Sequence, residues 1–251
     1  MLFRSGKNTI DNEFSEDRIT TTNTTNINAG LVIGYFFSYY FGFETGIEFH
    51  QYKPKISLKK YQTSIADIPD NDENNDDVFE SRVFIKDYEE IMNISYICIP
   101  FLVQGRYQLS SKLYAKIGAG AVIGFSFKNS SQSIGIYTYT AYYDEYNIEL
   151  SDIENHGLCT DKKIETNHNP ELFSTNLSLQ VSLGFTYQIS NHIGFSLHAK
   201  MNRGISNISN YDNSVFHLSK QFGDYQSLMS SSSDTKTNSS VVGIGIRYTF
   251  R

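Results

Sequence analysis

Glu44, Glu48 and His50 are separated by even numbers of residues, as are His198 and Lys200, so in extended chain each set projects to one side. Two carboxylates with a histidine at hand are the equipment of general acid–base chemistry or of cation binding. Gln104, Arg106, Lys116, Asn202 and Arg247 occupy the polar phase of further stretches and converge on the same interior if those stretches pair. Carboxylates facing several cations also make a structural plug, because enclosed charges persist only when paired and hydrogen-bonded. The plug outweighs the site. His198-Ala199-Lys200 lacks the serine two places on that a histidine-activated hydroxyl requires. No catalytic, cofactor-binding or metal-ligating residue is assigned, and no cofactor is expected.

Two other stretches carry chemical potential. Asp67–Glu80 is acidic, with Asp70, Asp72, Glu73, Asp76 and Asp77, but it lacks the glycine and closing glutamate of a calcium loop at their spacing. A solvated external loop is the expectation. Tyr137, Tyr139, Tyr142, Tyr143 and Tyr146 crowd into ten residues, and rigid amphipathic tyrosines make good contact surfaces. They form the candidate partner-contact loop; the alternative, of equal weight, is that alternating tyrosines extend the hairpin above the membrane.

The elements that position these residues show in period-two alternation. Over 176–189, Leu177, Leu179, Val181, Leu183, Phe185, Tyr187 and Ile189 share one face, and Asn176, Ser178, Gln180, Ser182, Gly184, Thr186 and Gln188 the other. The stretches 112–127 and 241–250 repeat the pattern, as do 27–37, 41–52, 91–107 and 192–206, with 91–107 the least regular. Strands of this length exceed the ~5–6 residues usual in globular sheets and contain the ~9–11 needed to cross a bilayer at a tilt. Short turns near Ser38–Tyr40, Leu109–Ser111 and Ser190–His192 alternate with long polar intervals at about 11–26, 53–90, 128–173 and 207–238. Tight turns at one end and large loops at the other are the pattern of a transmembrane barrel. Seven strands leave a seam with unpaired backbone in hydrocarbon. An eighth is therefore expected within residues 1–10, short or incomplete, with Arg4, Gly6 and Asn8 facing inward.

Composition agrees. The chain has 18 Tyr, 18 Phe, 17 Gly, four Pro and no Trp, a mixture suited to strands. No apolar run approaches the ~18 residues of a transmembrane helix, and alternation dilutes hydropathy in a barrel anyway. The net charge of -6, without a basic stripe, gives no reason to expect nucleic acid. Cys98 and Cys159 are too few for a disulfide framework, and their state is left open. Met1-Leu2-Phe3-Arg4 is not the start of a secretory signal, so a barrel implies that a leader has been removed. Tyr35, Phe37, Tyr39, Tyr40 and Phe41, with Tyr107, Tyr187, Tyr248 and Phe250, are expected at one height as an interfacial belt.

The stretch Tyr96-Ile97-Cys98-Ile99-Pro100-Phe101-Leu102-Val103-Gln104-Gly105-Arg106-Tyr107 is similar to a strand of the PorT-like outer-membrane barrels of Bacteroidota-type bacteria. The glycine-bearing Leu113–Gly124 strand resembles its partner, Asn202–Ile208 a strand end, and Gly245–Phe250 the aromatic C-terminal strand of that family. Cys98 stands where the family carries an acid, Gly120-Ala121 lacks its proline, and Arg251 follows the terminal aromatic. The resemblance implies an outer-membrane barrel of a Gram-negative envelope, and it implies fold more than role.

The expected architecture is all-β: an eight-stranded antiparallel up-and-down transmembrane barrel spanning 1–251, with apolar side chains outward and glycines, serines and charges inside. The expected role is non-enzymatic: a plugged barrel serving as a surface binding or accessory component through its external loops. Its partners are outer-membrane lipid and an envelope or surface protein. A lipid- or peptide-modifying enzyme is the alternative, followed by a soluble lipocalin-like carrier with its greasy faces inward.

Overall fold

A computed structural model describes residues 2–13, 19–23, 25–69, 78–153, 156–168, 174–208 and 234–250, with side chains from Asn28 onward except at positions 63, 168 and 234. Twelve strands occur among them: β1 Leu2–Glu13, β2 Ile19–Asn23, β3 Thr25–Phe36, β4 Phe41–Tyr52, β5 Pro54–Pro69, β6 Val78–Gln108, β7 Leu113–Tyr143, β8 Ile148–Leu150, β9 Cys159–His168, β10 Asn176–Gln188, β11 Ile193–Gly204 and β12 Asp234–Tyr248. Eight of them close a ring in the order β1-β3-β4-β6-β7-β10-β11-β12 and back to β1, every pair antiparallel. Closure is the physical requirement, since no edge can face hydrocarbon.

The alternation sets which way each side chain points. Leu179 is 54% exposed and Ile244 64%, while Gln180 and Ser178 on the opposite face are buried. The greasy faces therefore point outward, which overturns the lipocalin-like alternative. All nine residues expected in the aromatic belt are exposed. Each short turn is built around a serine. Ser38 Oγ accepts from the Tyr40 and Phe41 amides, Ser110 Oγ from that of Lys112, and Ser190 Oγ from those of His192 and Ile193. Such hydroxyl-capped turns reverse the chain without glycine.

Two expectations are corrected. The first strand is not short: β1 runs twelve residues and pairs with β12 from Leu2↔Gly245 to Glu13↔Asp234, its Leu2 end meeting Gly30 and Gly245 before β3 and β12 reach Phe36 and Tyr248. The side chains of Arg4, Gly6 and Asn8 lie outside the described residues. Two of the polar intervals are also largely sheet among the described residues. Within 53–90, 54–69 form β5 and 78–90 the first part of β6, and 128–173 contain the end of β7 with β8 and β9. Strands β6 and β7, 31 residues each, pair from Gln108↔Tyr114 up to Glu80↔Tyr142, far beyond the lipid band.

The extension was hidden by changes of phase. Where β6 and β7 slip register between Ser95 and Tyr96, the inward face of β7 changes from Val122 and Gly124 to Asn129, Ser131 and Ser133. A second slip lies between Lys86 and Glu89 of β6, where Asp87 has a φ of 51°. Below it Tyr88 and Met92 point inward; above it Val83 and Ile85 do. A β-bulge inserts one residue and reverses the faces, which ends any simple alternation.

Above the band the polarity inverts. Tyr52, Ile56, Leu58, Val83, Ile85, Tyr88, Met92, Ile94, Tyr96, Cys98, Val122, Tyr137 and Ile208 form one buried apolar cluster. Outside the membrane the solvent is water, so the sheet turns its apolar side in. The interior is thus not polar throughout, as expected from sequence. Its upper part is a conventional hydrophobic core, and this is why 91–107, apolar on both faces at its top, alternates least regularly.

Candidate functional site

Three regions carry polar side chains in a defined arrangement. The first is the lumen at membrane height. Glu48 is fully buried on β4; Lys200 Nζ on β11 donates to its Oε1 at 2.7 Å, and His50 Nε2 lies 3.0 Å from its Oε2. Glu44, one inward step below Gly46, lies 3.8 Å from Lys200 Nζ and accepts from the Gln104 amide. Space for these side chains comes from glycines on neighbouring strands. Glu48 is paired with Gly30, Glu44 with Gly34, and His198 with Gly184 and Gly243. A Cβ on Gly30 would lie 2.9 Å from Glu48 Cγ. The arrangement is a tight plug, the charged pair offsetting the desolvation of each partner.

The second region is the end of the lumen beside the short turns. Arg106, Lys116 and Arg247, expected in the same network as Glu44 and Glu48, instead gather around Phe36. The guanidinium carbons of Arg106 and Arg247 lie 4.3 and 5.8 Å from the ring centre, and Lys116 Nζ lies 5.8 Å from it. Arg106 Nε donates to the Tyr39 carbonyl at 2.7 Å. Lys200 and His50 reach a carboxylate, whereas Arg106, Lys116 and Arg247 make no ion pair among the described residues. Arg106 and Lys116 face each other across β6 and β7, so the register itself brings like charges together. Phe36 was missed in the sequence because it adjoins the exposed Phe37 and reads as part of the belt. Its even spacing from Asn28, Gly30 and Gly34, all on the inward phase of β3, was the available signal.

The third region is the sheet above the membrane. The tyrosines expected to form one contact loop are divided. Tyr137 is 2% exposed, in the apolar core, and stacks on half-buried Tyr139 at 5.9 Å. Tyr142 lies under the Arg82 guanidinium at 3.9 Å and its hydroxyl donates to Asn147 Oδ1; Tyr143 packs on Phe79. Tyr146, at the hairpin tip, is exposed. Alternation on β7 decides this, sending odd positions inward above the bulge. The outward phase opens a groove of about 430 Å³ lined by Gln62, Arg82, Phe84, Thr138, Thr140 and Glu149, among others. Two Arg82 nitrogens bond Glu80 Oε2 at 2.8 Å, and Thr140 Oγ1 donates to Glu149 Oε1. Hydrogen bonds from Ser64 and Arg82 hold the Glu80 carboxyl below its ordinary pKa.

Glu90 was also missed. It is fully buried beside the apolar cluster and accepts from Ser131 Oγ at 2.6 Å and from the Tyr88 hydroxyl at 3.2 Å. Both cysteines are buried free thiols, Cys98 opposite Glu48 and Cys159 beside the Tyr137 carbonyl. The acidic run 70–77 lies outside the described residues, as do any cation contacts it makes.

A closed ring of eight strands, apolar outside and charged within, turning tightly at one end, defines a transmembrane β-barrel. The family described as "Outer membrane protein beta-barrel domain" matches residues 3–210. The chain belongs to that family and is an outer-membrane β-barrel protein. Among solved structures it is similar to the outer membrane protein OprG from Pseudomonas aeruginosa, at 14% identity and a TM-score of 0.39, over 100% of this chain and 95% of that one. It is also similar to Ail, the attachment invasion locus protein of Yersinia pestis, at 8% identity and a TM-score of 0.30, over 98% and 95%. A second Ail structure, in complex with the heparin analogue sucrose octasulfate, aligns at 8% identity and a TM-score of 0.28, over 98% and 95%. A search of curated proteins returns no match.

Proposed function

We propose that this barrel is a non-enzymatic surface component that binds through the rigid sheet it raises above the membrane, its lumen being closed to transport. The observation that carries the reading is that the interior is packed at two levels among the described residues. The Glu48–Lys200–His50 cluster occupies the lumen, and the apolar cluster around Ile56, Ile85 and Met92 sits above it. Strands of 31 residues are far more than a bilayer needs, and the excess displays the polar groove over Phe84 and Arg82. A volume of about 430 Å³ falls in the range of small-molecule sites. The partner is an envelope or surface component, with outer-membrane lipid as the surrounding solvent and no part for nucleic acid. The motif at Tyr96–Tyr107 supports a finer placement among PorT-like barrels.

Reconstitution in planar bilayers tests the closed lumen, and a silent membrane is expected. Shortening 55–89 and 129–167 to tight turns tests the binding role. The trimmed barrel should still fold, and species co-purified in mild detergent with the full chain should be lost. Stable unitary conductance, or unchanged co-purification with the trimmed barrel, would overturn the proposal.

A further inference from the structure

Among the described residues, the lumen at membrane height carries more basic than acidic side chains. At membrane height its described residues include the basic side chains of Arg106, Lys116, Lys200 and Arg247 against the carboxylates of Glu44 and Glu48. Lys200 takes Glu48 at 2.7 Å and is also the cation nearest Glu44, at 3.8 Å. Arg106, Lys116 and Arg247 make no ion pair among the described residues, yet all three are drawn in around one aromatic ring. Each is half-buried, so water screens them only in part. Like charges brought together in a narrow, low-dielectric mouth repel, and the ring face returns only part of that cost.

The cluster also has an approach. Phe36 and Arg106 adjoin the turns at Ser38–Phe41 and Leu109–Leu113, which in this architecture lie on the periplasmic side. The apolar core at the opposite end bars entry from outside. Arginine presents a planar fork of donors suited to oxyanions, and lysine a mobile point charge. With Nε of Arg106 held by the Tyr39 carbonyl, its remaining guanidinium nitrogens are directed by a fixed anchor.

We propose that Arg106, Lys116 and Arg247 form a binding site for a small doubly charged oxyanion of the phosphate class, entering from the periplasmic mouth. A dianion offsets the positive charge gathered around Phe36. The site is distinct from the extracellular groove and does not depend on its role.

The test uses the full chain in zwitterionic nanodiscs, with inorganic phosphate as the probe and sodium chloride at matched ionic strength as the control. Phosphate is expected to raise the unfolding midpoint of the wild type by on the order of 5 °C, through preferential binding to the folded barrel. Lys116→Met should unfold at a higher midpoint than the wild type in phosphate-free buffer, because repulsion is relieved, and should lose most of the phosphate response. A structural lysine would behave the opposite way. Nanodiscs containing phosphatidylglycerol, without free phosphate, separate the two sources of phosphoryl group. The wild-type midpoint should not rise there, since the site opens to the lumen rather than to lipid. A phosphate response equal to the chloride control would overturn the proposal. So would a response that Lys116→Met retains, a Lys116→Met midpoint below wild type without phosphate, or a rise produced by phosphatidylglycerol alone.

Discussion

Lys200→Met and Glu48→Met should be unequal in cost and strongly coupled. Glu48 is fully buried, with Lys200 at 2.7 Å and His50 at 3.0 Å from its carboxylate. Removing Lys200 takes the shortest ion pair from an enclosed carboxylate, and breaking a buried pair in this way costs about 3–5 kcal/mol. Removing Glu48 is milder, because Lys200 keeps Glu44 within 3.8 Å and a small side-chain movement completes that bond. About 2–3 kcal/mol is expected there, below that range because the partner is not left unpaired. The double variant replaces two charges by two apolar chains of similar length and should cost no more than about 1–2 kcal/mol, because neither partner is left unpaired. The coupling energy from the cycle is then at least about 3 kcal/mol. The chain has no Trp, so unfolding in urea is followed by far-ultraviolet circular dichroism, with heat-modifiable migration in gels as the second probe. Additive costs, or a larger cost for Glu48→Met than for Lys200→Met, would refute the assignment of this pair as the centre of the plug.

Further expectations follow from neighbouring details. Gly120→Ala should abolish barrel assembly, because its Cβ would lie 2.0 Å from the Phe101 carbonyl oxygen and 2.9 Å from Leu102 Cα, both backbone atoms. Gly105→Ala, meeting only Ile117 Cγ2 at 3.3 Å, should assemble normally, and gel migration of unboiled samples distinguishes the two. Tyr137→Ala should destabilise by about 3–5 kcal/mol, as for other large aromatics removed from a core, whereas Tyr146→Ala at the exposed tip should stay within about 0.5 kcal/mol in the same urea titration. Glu80 has a depressed pKa when folded, so its contribution is present at neutral pH and is lost as acid takes it through that value. Carbon-detected titration should place its midpoint below that of a model glutamate and show Arg82→Met moving it upward. An unchanged midpoint in that variant would discount the Arg82 contact.

The amino-acid order alone determined the strands that lie in lipid, their inward and outward faces and the ends joined by tight turns. Hydrocarbon outside and a packed lumen inside impose opposite demands on alternate residues, and those demands are written at a spacing of two. That is why Leu179 and Ile244 could be placed outside, and Glu48 and Lys200 inside, before any pairing was known. The tertiary structure decided what the spacing cannot carry. The slips beside Ser95 and Lys86 reverse the faces of β7 and β6, so the same two-residue rhythm describes Tyr137 as core and Thr138 as surface only once the phase is known. Ring closure decided which charges meet. Glu48 and Lys200 are 152 residues apart and bond at 2.7 Å, while Arg106 and Lys116, drawn from the same inward set, are set side by side with Arg247 around Phe36. Facing direction is a property of each strand and is local. Partnership depends on register, stagger and the curvature of the closed sheet, and these exist only when all eight strands are in place.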